Sequence, residues 1–203
     1  MIENALPGSE RNTGALRRVA LWVIALNLAY FAVEFSVARA IGSVSLFADS
    51  IDFLEDAAVN GLIVITLRWG REKQAVIASG LAALLLVPAA ATLWMAWEKF
   101  NQPLPPAAVP LSITGLGALA VNFTCASLLA RVQRSGGNLF RAAFLSARND
   151  VIANLAIISA GGLTLLWHSA WPDLLVGLGV FAINFSAARE VYTSAQRERR
   201  LAP

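Results

Sequence analysis

Long apolar stretches alternate with short polar ones along almost the whole chain. Each apolar stretch has close to the roughly 20 residues that an α-helix needs to cross a bilayer. The short connections favour sequential helices that pack antiparallel. The pattern therefore predicts an all-α fold, a bundle of six transmembrane helices. The predicted spans are Val19–Val37, Val44–Leu67, Ala75–Trp97, Ala108–Leu129, Phe144–Leu166 and Leu174–Tyr192.

Glycine and proline mark the predicted connections between these spans. Gly42 and Ser43 predict a tight turn between spans one and two. The segment Asn101–Pro110 carries several prolines and is expected to be a stiff, non-helical crossover. We expect a flexible loop over Arg131–Arg141, which contains two adjacent glycines, and Pro172 in the first turn of the last helix.

The composition is that of an integral membrane protein. Hydrophobic residues make up 57% of the chain and charged residues 14%, against about 45–50% and about 25% in soluble domains. We expect a transmembrane domain over residues 17–192. It is flanked by a mobile tail over residues 1–16 and a short basic tail over residues 193–203. Cys125 is expected to be a small buried apolar residue.

The basic residues follow the predicted topology, and the net charge of +3 does not indicate nucleic-acid binding. With the N-terminus in the cytoplasm, the outer side holds only Arg39 and Lys99. This asymmetry predicts that both termini are cytoplasmic. The short, Arg- and Ala-rich chain suggests the inner membrane of a bacterium. The cytoplasmic segments would contain Arg11, Arg17, Arg18, Arg68, Arg71, Lys73, Arg131, Arg134, Arg141, Arg189, Arg197, Arg199 and Arg200.

Four acidic residues interrupt the second apolar stretch: Asp49, Asp52, Glu55 and Asp56. A charged carboxylate at the centre of a membrane helix costs about 2.5–3.5 kcal/mol. Such groups must therefore face the bundle interior, a water-filled cavity, a proton or a cation. Because Asp52 and Asp56 are spaced four apart, they lie on one helix face.

Span five carries a second polar stripe with the same spacing as the first. Two such stripes facing each other would form a polar box in mid-membrane, and weak internal symmetry is typical of transporter folds. The two stripes are Asp52, Asp56 and Asn60, and Ser146, Asp150 and Asn154.

Two carboxylates on one helix and a third on another offer oxygen ligands to a divalent cation. A fourth ligand would complete a tetrahedral zinc site, while sites without sulfur also suit Mn²⁺ or Fe²⁺. In the empty site, burial and mutual repulsion both favour the protonated form of each carboxyl group. A metal ion must then displace protons in order to bind. The chemistry of the site therefore predicts metal–proton exchange.

The sequence GSVSLFADSIDFLED, from Gly42 to Asp56, resembles the second-helix signature of the cation diffusion facilitator family, roughly GSxxLxADxxDxxxD. The resemblance covers about Leu16–Tyr192. It implies a transporter, not an enzyme, that exchanges Zn²⁺, Cd²⁺, Co²⁺, Fe²⁺ or Mn²⁺ for protons and has no permanently bound cofactor. It also implies that the metal ligands are Asp52 and Asp56 with Asp150 from helix five.

Two departures from the family pattern affect these expectations. Ser146 stands where the family usually has a histidine, which leaves the fourth ligand open among Asn149, Asn154, Glu55 and water. Asp49 is expected beside the site or along its pathway, with a role as a metal ligand as the alternative. We expect the chain to be like the short family members, which lack the usual cytoplasmic C-terminal domain and have an Arg-Asn-Asp motif in helix five where Arg148-Asn149-Asp150 stands here. A homodimer would then form through the transmembrane helices.

The sequence is compatible with other interpretations. Glu34 in span one can either relay protons or pair with Arg39. Arg148 either holds charge near the site or extends to the membrane surface. The chain could be a non-transporting metal sensor or partner subunit. It could also be an intramembrane hydrolase that uses paired aspartates as acid and base.

Overall fold

The computed structural model describes residues 7–66 and 90–183, and every regular element within them is an α-helix. The all-α prediction is thereby confirmed. Most of predicted span three, the end of span six, the basic loop after span two and both chain ends lie outside the described residues. The helices are α1 (Pro7–Ile41), α2 (Val44–Thr66), α3 (residues 90–101), α4 (Ala108–Trp167) and α5 (Trp171–Ile183).

The longest helix, α4, contains predicted spans four and five as two antiparallel arms. The first arm is Ala108–Arg134 and the second is Phe140–Trp167, both long and apolar enough to cross a membrane. A Cβ atom built on Gly115 would lie 3.1 Å from Ile158 in the opposite arm. The two arms are therefore in close contact at this level.

The prediction of a flexible loop over Arg131–Arg141 is wrong, because the backbone there is helical. The chain nevertheless reverses direction between the two arms, and the adjacent glycines Gly136 and Gly137 lie at that point. Glycine pairs are common sites of helix bending. The adjacent glycines therefore indicated where the chain reverses direction, but they did not predict that the backbone there is helical.

The first helix is longer than its apolar stretch. Its membrane-compatible part is Thr13–Ile41, while the helix itself begins at Pro7. Residues 7–16 of the predicted N-terminal tail are therefore helical. The crossover before α4 is non-helical over residues 102–107, and α5 begins at Trp171, so that Pro172 lies in its first turn as predicted.

Two apolar clusters hold the helices together at opposite ends of the bundle. The N-terminal cluster contains Leu16, Ala20, Val23, Ile63, Cys125, Ala126, Leu129, Phe140, Ala143 and Ala147. The turn-end cluster contains Ala38, Leu46, Phe47, Ile51, Met95, Leu111 and Ile157. The residues joined in each cluster show that α1 and α2 run antiparallel, as do α2 and the second arm of α4.

Buried polar side chains lie between the two clusters. This polar layer is drawn from α1, α2 and both arms of α4, so it forms only when the bundle assembles. It contains Asn27, Glu34, Asp49, Asp52, Asp56, Asn60, Asn122, Asp150 and Asn154. The bundle thus has an apolar cluster toward each end and a polar layer between the two clusters.

The predicted turn between α1 and α2 is confirmed, and its two residues have different tasks. Gly42 has a φ of 64°, and the Ser43 amide donates to the Ala38 carbonyl oxygen at 3.0 Å. This geometry is the left-handed glycine cap that ends many helices. Ser43 then caps α2, since its hydroxyl accepts from the Leu46 amide at 3.2 Å.

Asp173, near the start of α5, binds the exposed amide groups at the start of α2. Its side chain is 0% exposed. One carboxylate oxygen accepts from the Val44 amide at 2.9 Å and the other from the Ser45 amide at 3.2 Å. The hydroxyls of Ser43 and Ser45 each donate to it at 2.6 Å. A carboxylate is favourable here because helix N-termini carry partial positive charge.

A buried ion pair joins α3 to the same carboxylate. The Lys99 ammonium group lies 3.1 Å from Asp173 and also donates to the Gly42 carbonyl oxygen. A Cβ atom built on Gly177 would lie 2.8 Å from the Ser45 amide nitrogen, so α5 packs directly against this turn. One network therefore fixes α1, α2, α3 and α5 at the turn end of the bundle.

Candidate metal site

The predicted acidic face of α2 is buried in the polar layer. Asp52 is 9% exposed and Asp56 is 6% exposed. Both lie near the middle of a 23-residue helix, Val44–Thr66, with apolar residues on either side. Burial of these side chains follows from their four-residue spacing, because that spacing directs both toward the neighbouring helices.

The second arm of α4 presents its polar stripe to this face. The Ser146 hydroxyl donates to the Asp56 carboxylate at 3.1 Å. Asp150 is 9% exposed, and its carboxyl group lies within electrostatic range of the Asp56 carboxyl. Since the helices are antiparallel, Asp150 lies one turn from Ser146 toward the turn end, near the level of Asp52. The three predicted ligands are therefore near neighbours.

The repeat seen in the sequence extends to the hydrogen bonds. The Asn60 amide donates to the Asp56 backbone oxygen at 2.9 Å, and the Asn154 amide donates to the Asp150 backbone oxygen at 2.7 Å. Each asparagine thus binds the aspartate four residues before it. The side-chain oxygens of both asparagines are buried without a hydrogen-bond partner in the described part of the chain. They add two oxygen acceptors to the polar layer.

Asp52, Asp56 and Asp150 are close but do not converge. Within residues 7–66 and 90–183, no three His, Cys, Asp or Glu side chains are grouped as tightly as a metal ion requires. Carboxylates repel one another, whereas a divalent cation attracts all of them. Binding would therefore require these side chains to rotate inward about a cation.

Two of the residues considered for the fourth ligand lie elsewhere. Asn149 is exposed and accepts a hydrogen bond from Arg148 at 3.3 Å. Both side chains are therefore exposed and are not part of the buried polar layer. Glu55 is half-buried beside the Asp56 face. Ser146 has direct contact with a predicted ligand, and Asn154 is fully buried one turn beyond Asp150.

Asp49 lies against Glu34 of α1. Both side chains are 0% exposed, and the ring contacts of Tyr30 with Phe53 at 5.2 Å and of Phe35 with Phe47 at 5.3 Å bring these two positions to the same level of the α1–α2 contact. The alternative in which Glu34 pairs with Arg39 is not found, because Arg39 is exposed and the described residues contain one ion pair, Lys99–Asp173. Asp49 is thus directed toward α1.

Comparison with known proteins assigns the chain to a family. Residues 20–197 match the family of the cation efflux transmembrane domain. The chain belongs to this family. The match confirms the family resemblance carried by Gly42–Asp56 and places the chain in a family of multi-pass membrane transporters.

Two bacterial relatives of this cation efflux domain show how much of a longer protein it spans. It is 25% identical over 195 residues to the "Cation-efflux pump FieF" of Salmonella arizonae, covering 88% of this chain and 64% of the relative. It is 27% identical over 145 residues to the "Zinc transporter ZitB" of Pectobacterium atrosepticum, covering 66% of this chain and 45% of the relative. The chain therefore spans less than two thirds of either relative.

The cation efflux domain also has buried residues near the site that sequence patterns did not single out. The Tyr30 hydroxyl donates to the Thr114 carbonyl oxygen at 2.6 Å, which joins α1 to the first arm of α4. Asn122 is buried on that arm. Cys125 is fully buried, as predicted, within electrostatic range of Asp56 and Asp150. An isolated polar residue in an apolar span was the available indication for Asn122.

Proposed function

We propose that this chain moves a divalent metal ion out of the cytoplasm in exchange for protons, with Asp52, Asp56 and Asp150 as its metal ligands. The observation that carries the proposal is the contact of Ser146 with Asp56, since it brings the polar stripe of α4 onto the acidic face of α2. In a membrane, such a group of buried carboxyls is a cation or proton site by default.

The proposed substrate is a divalent transition metal ion, with Zn²⁺ first and Cd²⁺, Co²⁺, Fe²⁺ or Mn²⁺ as the other members of the class. Carboxylate, hydroxyl and amide oxygens supply the nearby donors. Oxygen donors accept all of these ions. One relative is named a zinc transporter and the other a cation-efflux pump, which supports Zn²⁺ as the first ion to test.

Proton exchange follows from the same carboxyl groups. Without a cation, three buried carboxyls are most stable when protons neutralise part of their charge. A metal ion entering from the cytoplasm displaces those protons, and protons entering from the other side release it. We place the chain in the inner membrane of a bacterium with both termini in the cytoplasm. We propose a homodimer formed through the transmembrane helices.

The decisive test uses sealed proteoliposomes with an imposed pH gradient and a panel of Zn²⁺, Cd²⁺, Co²⁺, Mn²⁺ and Fe²⁺. We expect flux of one or two ions whose direction reverses when the gradient is reversed. Flux that ignores the gradient would contradict proton antiport. Metal binding without flux of any ion would contradict transport and favour a sensor or a partner subunit.

Ser146→His tests the position at which the family usually has a histidine. Imidazole is a far better zinc ligand than a hydroxyl, and Ser146 already contacts Asp56. We expect the affinity for Zn²⁺ relative to Mn²⁺ to rise about tenfold or more, measured by calorimetric titration of the purified protein. Ser159→His is the matched control, because Ser159 lies exposed on the same helix. Equal gains in both variants would contradict the assignment.

A further inference from the structure

Glu34 and Asp49 form a second pair of buried carboxyl groups, next to the proposed metal ligands. All four of their oxygens are buried, and none receives a hydrogen bond from an N–H or hydroxyl donor within the described ranges. Two ionised carboxylates would repel each other strongly in a low-dielectric interior. A hydrogen bond between carboxyl groups requires a proton, since ionised carboxylates only accept.

The groups around this pair increase its need for positive charge. Those within electrostatic range are themselves acidic or phenolic, and they come from α1, α2 and the second arm of α4. Lys99, a buried lysine at the turn end, is already bound to Asp173 and to the Gly42 carbonyl oxygen. The neighbouring groups are Tyr30, Asp52, Asp56 and Asp150.

The pair is offset from the proposed metal ligands toward the turn end of the bundle. Asp49 lies about one helical turn from Asp52, or roughly 4.5 Å along the axis, toward the turn end. Glu34 comes from α1, which supplies none of the proposed ligands. A site at this position is close enough to feel a bound cation but does not contribute ligands to it.

We propose that Glu34 and Asp49 bind one proton between them, at a site distinct from the metal ligands. When a divalent cation binds to Asp52, Asp56 and Asp150, its charge disfavours this proton. The O–H bond then breaks, the electron pair stays on the carboxylate, and the proton passes to water. When the metal leaves, a proton from water restores the hydrogen bond. That the proton shared by Glu34 and Asp49 is exchanged for metal rests on the proposed antiport, whereas the presence of this proton does not.

Infrared spectroscopy of the purified, metal-free protein at neutral pH detects this proton directly. We expect a protonated-carboxyl band that shifts in D₂O and is lost in both Glu34→Gln and Asp49→Asn. In each variant the new amide N–H donates to the remaining carboxylate and replaces the proton. Glu98→Gln is the control: Glu98 is an exposed carboxylate that accepts from the Trp94 indole at 3.0 Å, so its removal should leave the band unchanged.

Asp56→Asn separates this proposal from the proposed metal site. That variant should lose metal binding but keep the band that depends on Glu34, while Zn²⁺ should weaken the band only in the wild-type protein. Wild-type spectra in both Glu34→Gln and Asp49→Asn would overturn the proposal, as would loss of the Glu34-dependent band in Asp56→Asn. If one pair variant fails to fold, the other decides. A persistent band without metal flux would reject the antiporter and retain the proton site.

Discussion

Asp56→Asn is expected to reduce metal flux about a hundredfold or more. Removing a group that only holds a metal ligand in place reduces affinity or activity by up to about a hundredfold, and Asp56 is proposed to be a ligand itself. The substitution preserves the volume of the side chain and an oxygen that can accept from Ser146. It removes the negative charge that a divalent cation requires. The loss should therefore lie in binding, with membrane insertion and helical content unchanged.

The measurement is initial uptake into proteoliposomes, together with metal affinity and circular dichroism of the same preparation. Glu98→Gln removes an exposed carboxylate on α3 and serves as the control with wild-type flux. Wild-type flux in Asp56→Asn would reject Asp56 as a ligand. Loss of flux with unchanged affinity would place Asp56 on the pathway instead of in the site.

Asp173→Ala is expected to cost about 3–5 kcal/mol in the free energy of unfolding, because it leaves a buried charge without its partner. Lys99 is 7% exposed and would keep its ammonium group next to the vacated position. The amides of Val44 and Ser45 would also lose their acceptor. Equilibrium unfolding in mixed detergent micelles measures this loss.

A double-mutant cycle isolates the ion pair from the rest of the network. Lys99→Met alone leaves the Asp173 carboxylate with four donors, two amides and two hydroxyls. We expect the double variant Lys99→Met/Asp173→Asn to lose less free energy of unfolding than the two single variants lose in total. A cost below about 1 kcal/mol for Asp173→Ala would show that the pair behaves like one at the surface.

The sequence predicted elements wherever a local pattern was sufficient. Apolar length defined the spans, Gly42 and Ser43 defined the first turn, and the four-residue spacing placed Asp52 and Asp56 on one face. It failed between the arms of α4, where adjacent glycines suggested a flexible loop and the backbone is helical. Glycine lowers helix propensity by only about 1 kcal/mol, which the packing of the two arms can offset.

Only the tertiary structure shows which buried polar side chains lie next to each other. Glu34 had two equal candidate roles in the sequence, and its position against Asp49 rejects the one that involves Arg39. Lys99 and Asp173 both lie near span ends, where charges normally face water, and are 74 positions apart. Nothing local marks such residues as a buried pair.

The sequence by itself determined an all-α membrane protein, its family and the residues that carry its acidic chemistry, because helix length, turn residues and helical spacing are local properties. Only the tertiary structure decided which carboxyl group faces which. It placed Ser146 on Asp56, Glu34 on Asp49 and Lys99 on Asp173. The physical reason is that each contact joins residues from different helices, so it depends on how the helices pack, which no local pattern encodes.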